Sequence, residues 1–372
     1  MPPSSLNRPA IPRRNLLALL GAGAGLLAMR PGPAGAAPAV ERSVKAGVGL
    51  YELAVNTASN LVHVAAVGAR GQNAARILGL DLTTLEQRSA IELGEDAAFG
   101  LAPNNRRGLL LATGTRSGAF KVIDVRTGTV RARLTQGEGS HLRQVVADEA
   151  RDRAFATSFG ARDRPSAIWV VDTAGDRIAN VITEGLEGGI TGLAFDPAGD
   201  RLFVTALTAN EVVEVSLTRN AGIRRFATGG EGAINLAFDP ASGRVFCANQ
   251  RSGTLTVLNA ATGEVVKSIE TGAGALGVTL SADGGICYVA NRGAGTVSVV
   301  ETRGLTVVAN LATGTHPNTV AVDGRSGVAY VSNKARMPPR QPRPAAGAAQ
   351  PAQPPAPPPP DPNGDTVSII RL

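Results

Sequence analysis

The chain has 372 residues, 43% hydrophobic, 18% charged and 3% aromatic, with 45 glycines and 24 prolines. That is too long for a small disulfide scaffold and too apolar for a disordered chain, and the glycine and proline content favours a turn-rich all-β fold over a helix bundle. Two cysteines exclude a disulfide framework, and the net charge of +7 falls to +3 once residues 1–36, with four arginines and no acid, are set aside, so bulk charge is weak evidence for nucleic acid.

Residues 1–36 read as an export signal. Arg13 and Arg14 precede a weakly apolar run from Leu16 to Ala28, and Ala34-Gly35-Ala36 offers a small-residue cleavage site before Ala37. The paired arginines and Gly/Ala-rich run resemble a twin-arginine signal, with Pro12 before the pair and Leu16 where phenylalanine is favoured. The general secretory route stays open. The run is too short for a stable transmembrane anchor, and no other segment is long enough to cross a membrane.

From Ala37 onward the chain repeats itself. LAFDPAGDRLFVTA at Asp196 returns as LAFDPASGRVFCAN at Asp239, with weaker copies around Asn56, Pro103, Asp148, Ser281 and Asp323. These seven copies lie 42 to 48 residues apart, the period of a four-stranded propeller blade. Each reads as four short strands: an apolar run before the Asp, a second run such as Cys287–Ala290, a third such as Thr296–Val300, and a fourth such as Val307–Leu311. The runs are apolar on both faces, as blades covered on both sides require.

The seventh copy is split. After Val331-Ser332-Asn333 the chain enters a Pro-rich insert, residues 336–363, and resumes as Thr366–Ile370 with nothing left for a fourth strand. Val40–Val44 is a spare strand, and it is expected to fill the gap and close the ring, removing an open edge. The expected organisation is therefore residues 1–36 as leader and 37–372 as one seven-bladed propeller. The insert favours polyproline II without a core and reads as a solvated insertion or a docking arm.

YVANRGAGTVSVVETRGLTVVANLATGTHPNTVAVD resembles the repeat of YVTN-type propellers, and with LYELAVNTASNLVHVAA, AIWVVD and DTVSIIRL the chain from Ala37 is similar to the YncE-like family of exported seven-bladed propellers. The resemblance implies a periplasmic binding protein without an established reaction, with single-stranded DNA binding as the activity most often attached to such proteins. The repeat specifies fold well and function poorly.

Loops joining second to third strands share one propeller face with those joining fourth to first strands. The former carry Arg70, Arg116, Arg162, Arg164, Arg251, Arg292 and Lys334, and the latter add His141, Arg143 and His316. This rim reads either as a surface for phosphate or carboxylate, which arginine forks suit, or as ordinary solvated charge. Inner strands open with Tyr51-Glu52, Phe99, Arg143-Gln144, Asn235 and Asn318-Thr319 and should line the upper channel. Glu52, Asn235 and Asn318 offer oxygen ligands, but one carboxylate is little charge for strong cation binding. Tyr51, Phe99 and Phe159 are the loop-proximal aromatics on which a base could stack.

His63 in LVHVAA is expected to be a packed histidine with one satisfied nitrogen, and Trp169 an inter-blade packing residue. Aligning VFCAN with CYVAN places Cys247 and Cys287 in different inter-blade gaps, so they are expected to stay unpaired. No G-x-S-x-G, Walker A, H-E-x-x-H or C-x-x-C sequence occurs. No catalytic residue, metal ligand or cofactor is assigned. Two functions remain: a monomeric, non-enzymatic binding or scaffold propeller taking single-stranded DNA or a protein partner on its rim, and a lactonase-like hydrolase with a metal site at the channel mouth.

Overall fold

A computed structural model describes residues 37–69, 72–137, 139–161, 163–336 and 360–372. Residues 1–36, the bulk of the Pro-rich insert, Arg70 and Arg162 lie outside the described residues. Twenty-eight strands form seven four-stranded sheets, antiparallel throughout, and the described residues contain no helix. Six sheets are continuous in sequence: blades 1 to 6 span residues 50–94, 100–135, 142–182, 190–227, 233–270 and 275–312.

Blade 7 is composite. Its strands His316–Val322, Ala329–Lys334 and Thr366–Arg371 are completed by Ala39–Lys45 from the other end of the chain. Val40 pairs with Ile370 and Val44 with Val367, with a register shift between Val40 and Arg42. The chain's two ends thus lock the ring, and the edge of the last sheet is covered. Asp365 reinforces the join: Oδ1 accepts from Gly49 N (3.0 Å), Leu50 N (3.3 Å) and Ala335 N (3.2 Å).

The repeated acid at the end of the inner strand has a local cause. Asp196 Oδ1 accepts from Ala198 N and Gly199 N, both at 3.1 Å, and Asp239 Oδ1 from Ala241 N at 3.0 Å. These are Asx-turns, in which a short carboxylate substitutes for a backbone acceptor while the chain reverses. The following arginine closes on the same group, as Arg201 Nε does on Asp196 at 2.9 Å. Asn249, Asn291 and Asn333, the last residue of their motifs, are fully buried, and their amides bond hydroxyls of the next strand, such as Thr256 Oγ1 at 2.9 Å and Ser298 Oγ at 2.8 Å.

Hydrophobic clusters lie between neighbouring blades. Cys247 packs with Phe203 and Val212 of blade 4, and Cys287 with Phe246 and Val257 of blade 5. The two thiols are free, buried and in separate gaps, as the strand register requires. Trp169 is buried against Leu109 and Leu111 of blade 2. His63 Nε2 meets Ser59 Oγ at 3.0 Å while Nδ1 has no partner, and burial pushes its pKa down to about 4. Hydroxyls tie blade to blade around the channel. Thr157 Oγ1 donates to Thr191 O, Thr191 Oγ1 to Ile234 O, Thr279 Oγ1 to Val320 O and Ser332 Oγ to Tyr51 O.

Candidate anion-binding face

Backbone hydrogen bonds establish that the two loop sets share a face. Arg251 N donates to Glu231 O (3.0 Å), and Arg292 N to Gly274 O (2.9 Å), so each second-to-third hairpin is fastened to the loop entering its own blade. The main chain is held there while the side chains are left to solvent or the channel. Arg116, His141, Arg164 and Arg251 are exposed, and Arg292 and His316 are half-buried.

Three of these cations rest on aromatic rings. Lys334 Nζ lies 3.6 Å from the Tyr51 ring centroid, Arg116 Cζ 5.5 Å from that of Phe99, and Arg143 Cζ 5.4 Å from that of Phe159. Tyr51 and Phe99 in turn meet edge to face at 4.7 Å. The ring quadrupole attracts the cation and holds it without neutralising it. One cation thus meets each of the three rings read as stacking candidates, so the aromatics position charge.

Two placements also differ from the sequence expectation. Lys334 ends the strand Ala329–Lys334 and is only 4% exposed, because that strand runs on to pair His316 with Lys334. It is no rim loop residue, and burial lowers its pKa. Phe99 lies just before the inner strand Gly100–Asn104, tied by its N–H to Thr113 O at 2.8 Å.

Many of the other arginines are held in ion pairs. Arg107 and Asp152, Arg131 and Asp176, Arg153 and Asp148, and Arg201 and Asp196 form ion pairs of 2.6 to 2.9 Å, all around the turns of the opposite face. Among the described residues, Arg116, Arg143, Arg251, Arg292 and Lys334 have no carboxylate within the 4.0 Å limit of an ion pair. Arg164 Nη1 instead donates to Gln136 O at 2.7 Å. Partial loss of hydration through burial lowers the pKa of Arg143, although the residue keeps contact with water. His316 is lowered by burial first, then by Arg292, Arg336 and Lys334, and its Nδ1 is without a partner.

The remaining channel candidates do not converge. Asn235 turns Oδ1 back onto Leu236 N at 2.9 Å, and Asn318 is buried in blade 7. Glu52 follows Tyr51 in the inner strand of blade 1, and burial pushes its carboxyl up to about 8. Among the described residues no three His, Cys, Asp or Glu side chains group as metal ligands, and no helix is long and apolar enough to cross a membrane.

Known proteins resemble the chain over part of its length. It is 28% identical over 236 residues, 60% of this chain and 65% of the relative, to a protein of Escherichia coli K12 described as the uncharacterized protein YncE. A Salmonella typhi protein of the same description is 29% identical over 240 residues, 61% of this chain and 66% of that one. The chain thus spans just under two thirds of the length of these curated relatives. No protein-family model matches it.

Proposed function

We propose that this YncE-like seven-bladed propeller is a non-enzymatic binding protein whose cation-bearing face takes an anionic partner, with single-stranded DNA as the first candidate and an acidic protein surface as the second. One observation carries the reading: Arg116, Arg143, Arg251, Arg292 and Lys334 share a face and lack carboxylate partners among the described residues. Cations that find no internal counter-ion are favourably placed for an external one. A flexible single strand can follow a curved rim through its phosphates, and with few aromatics near the loops the binding should be tolerant of sequence. The signal read in residues 1–36 supports a periplasmic setting.

The lactonase-like alternative has less support, since Glu52 is the lone acid among the channel candidates and Asn235 spends its oxygen on its own backbone. Fluorescence anisotropy of a labelled oligothymidylate at low salt, with polyglutamate as competitor, tests the proposal. Saturable binding displaced by polyglutamate is expected. Failure of both polyanions to bind would overturn it.

A further inference from the structure

We propose that the cavity at the junction of blades 6 and 7 is a binding site for a phosphomonoester, with the Arg336 guanidinium as the fork for its phosphoryl oxygens and the Asn363 side-chain amide as a further donor. The inference rests on the reading that this face takes anions, and it adds a place and a ligand class.

The cavity encloses about 440 Å³. Gly293–Gly295, in the second-to-third hairpin of blade 6, forms one wall, and Thr313–Thr315, the link into blade 7, forms another. Arg336 and Asn363, from the two ends of the insert, complete it. Small residues keep the space open: Gly293, Ala294, Gly295, Ala312 and Gly314 carry a methyl group or nothing. Small-molecule sites run from roughly 300 to 1,000 Å³, so the volume suits an ester and is roomy for a bare ion.

Charge sets the class. Arg336 is exposed and, among the described residues, has no carboxylate within the 4.0 Å limit of an ion pair. A free guanidinium edge donates to two oxygens of one phosphoryl group. Asn363 is exposed beside it, and its amide can donate to a third oxygen. More cations adjoin the walls. Arg292 directly precedes Gly293, while His316 directly follows Thr315 and is the cross-strand partner of Lys334. Burial, then the charges of Arg292, Arg336 and Lys334, holds the His316 pKa down against Asp361, so the imidazole stands in the field of all three cations. Acids are scarce in this sector. The links entering blades 2, 4 and 5 carry Glu95, Glu187 and Glu231, whereas those entering blades 6 and 7, residues 271–274 and 313–315, carry none. The acid nearby, Asp361, has both oxygens engaged: Oδ1 accepts from Thr315 Oγ1 and Asn363 N, and Oδ2 from Arg336 N.

His316 supplies a local reporter. The chain has three histidines, His63, His141 and His316, so imidazole NMR signals of the full protein at pH 7 can be followed one by one. The probes are thymidine 5′-monophosphate, thymidine and a 5′-phosphorylated oligothymidylate. The monophosphate is expected to shift His316 saturably while His63 and His141 stay in place, and thymidine to shift none of them. Arg336→Ala, at an exposed position, should weaken the binding about tenfold, the worth of one charge-assisted hydrogen bond. Arg164→Ala, on the same face in blade 3, should leave it unchanged. A His316 shift with the oligonucleotide as well supports the site and assigns a strand end as a source of the ester, whereas a shift with the monophosphate alone supports it for a free ester. The site is overturned by an unmoved His316 with both phosphorylated probes, by equal effects of thymidine and its monophosphate, or by binding that Arg336→Ala leaves intact. Anisotropy of oligothymidylate reads the rim independently. Binding there with His316 unmoved leaves the polymer reading standing, and a His316 shift by the monophosphate without oligothymidylate binding keeps the site and overturns that reading.

Discussion

Lys334 and Tyr51, from opposite ends of the chain, meet in the channel mouth with the ammonium 3.6 Å from the ring centroid. Ser332, two residues earlier on the same strand face, donates to the Tyr51 carbonyl, so blade 7 holds the first residues of blade 1 by main chain and side chain together. Tyr51→Leu removes the ring from beneath a buried cation and the edge contact with Phe99. The expected loss is about 2 kcal/mol, read as a lower urea midpoint with an unchanged slope. An unchanged midpoint would show that the pair contributes nothing to stability.

Glu52 gives the fold a pH signature. Its carboxyl is raised by burial from the usual 4.5 to about 8, so the folded state holds a proton that the unfolded state releases. Its contribution is therefore fully present below about pH 4.5, declines as the pH rises, and is lost above about 8. Glu52→Gln should melt like the native protein at low pH and above it at pH 9. Parallel melting curves across that range would place Glu52 in contact with bulk water.

Closure by Ala39–Lys45 makes a sharp demand on the chain. A chain beginning at Gly47 loses the fourth strand of blade 7 and exposes the Thr366–Arg371 edge. It should melt many degrees lower and aggregate on standing. Identical melting would contradict the closure.

Asp365 accepts three backbone N–H groups with one oxygen. Asp365→Ala leaves those donors without their acceptor and should cost about 3 kcal/mol, whereas Asp365→Asn retains an oxygen and should cost less. Equal losses would assign the effect to charge.

Much of the architecture is legible in the sequence because its causes are local. An Asx-turn involves Asp196 and residues two and three further on, so the repeat shows wherever the turn does. The missing fourth strand after Thr366–Arg371 shows as an absence that Val40–Val44 can fill. The channel mouth is not legible, because Tyr51, Phe99, Arg143 and Lys334 come from four blades and the sequence orders blades without aiming side chains across gaps. Lys334 reads as a loop residue because it adjoins the insert, and only pairing with His316 reveals the longer strand. Asp361, whose Oδ1 accepts from Thr315 Oγ1 at 2.6 Å, fastens the base of the insert and has no counterpart in other repeats to mark it.

The central claim is that anions bind the face carrying Arg116, Arg143, Arg251, Arg292 and Lys334, and the salt dependence of oligothymidylate affinity tests it most directly. Two triple variants carry the same loss of charge. Arg116, Arg251 and Arg292 are replaced by Ala on the candidate face. Arg126, Arg219 and Arg303, exposed on turns of the opposite face, are replaced in the control. On a single strand each phosphate contact contributes about 0.7 unit to the slope of log affinity against log salt. The account predicts that the first variant flattens the slope by up to about two units while the control keeps the native slope. A native slope in the first variant, or equal flattening in both, would contradict it.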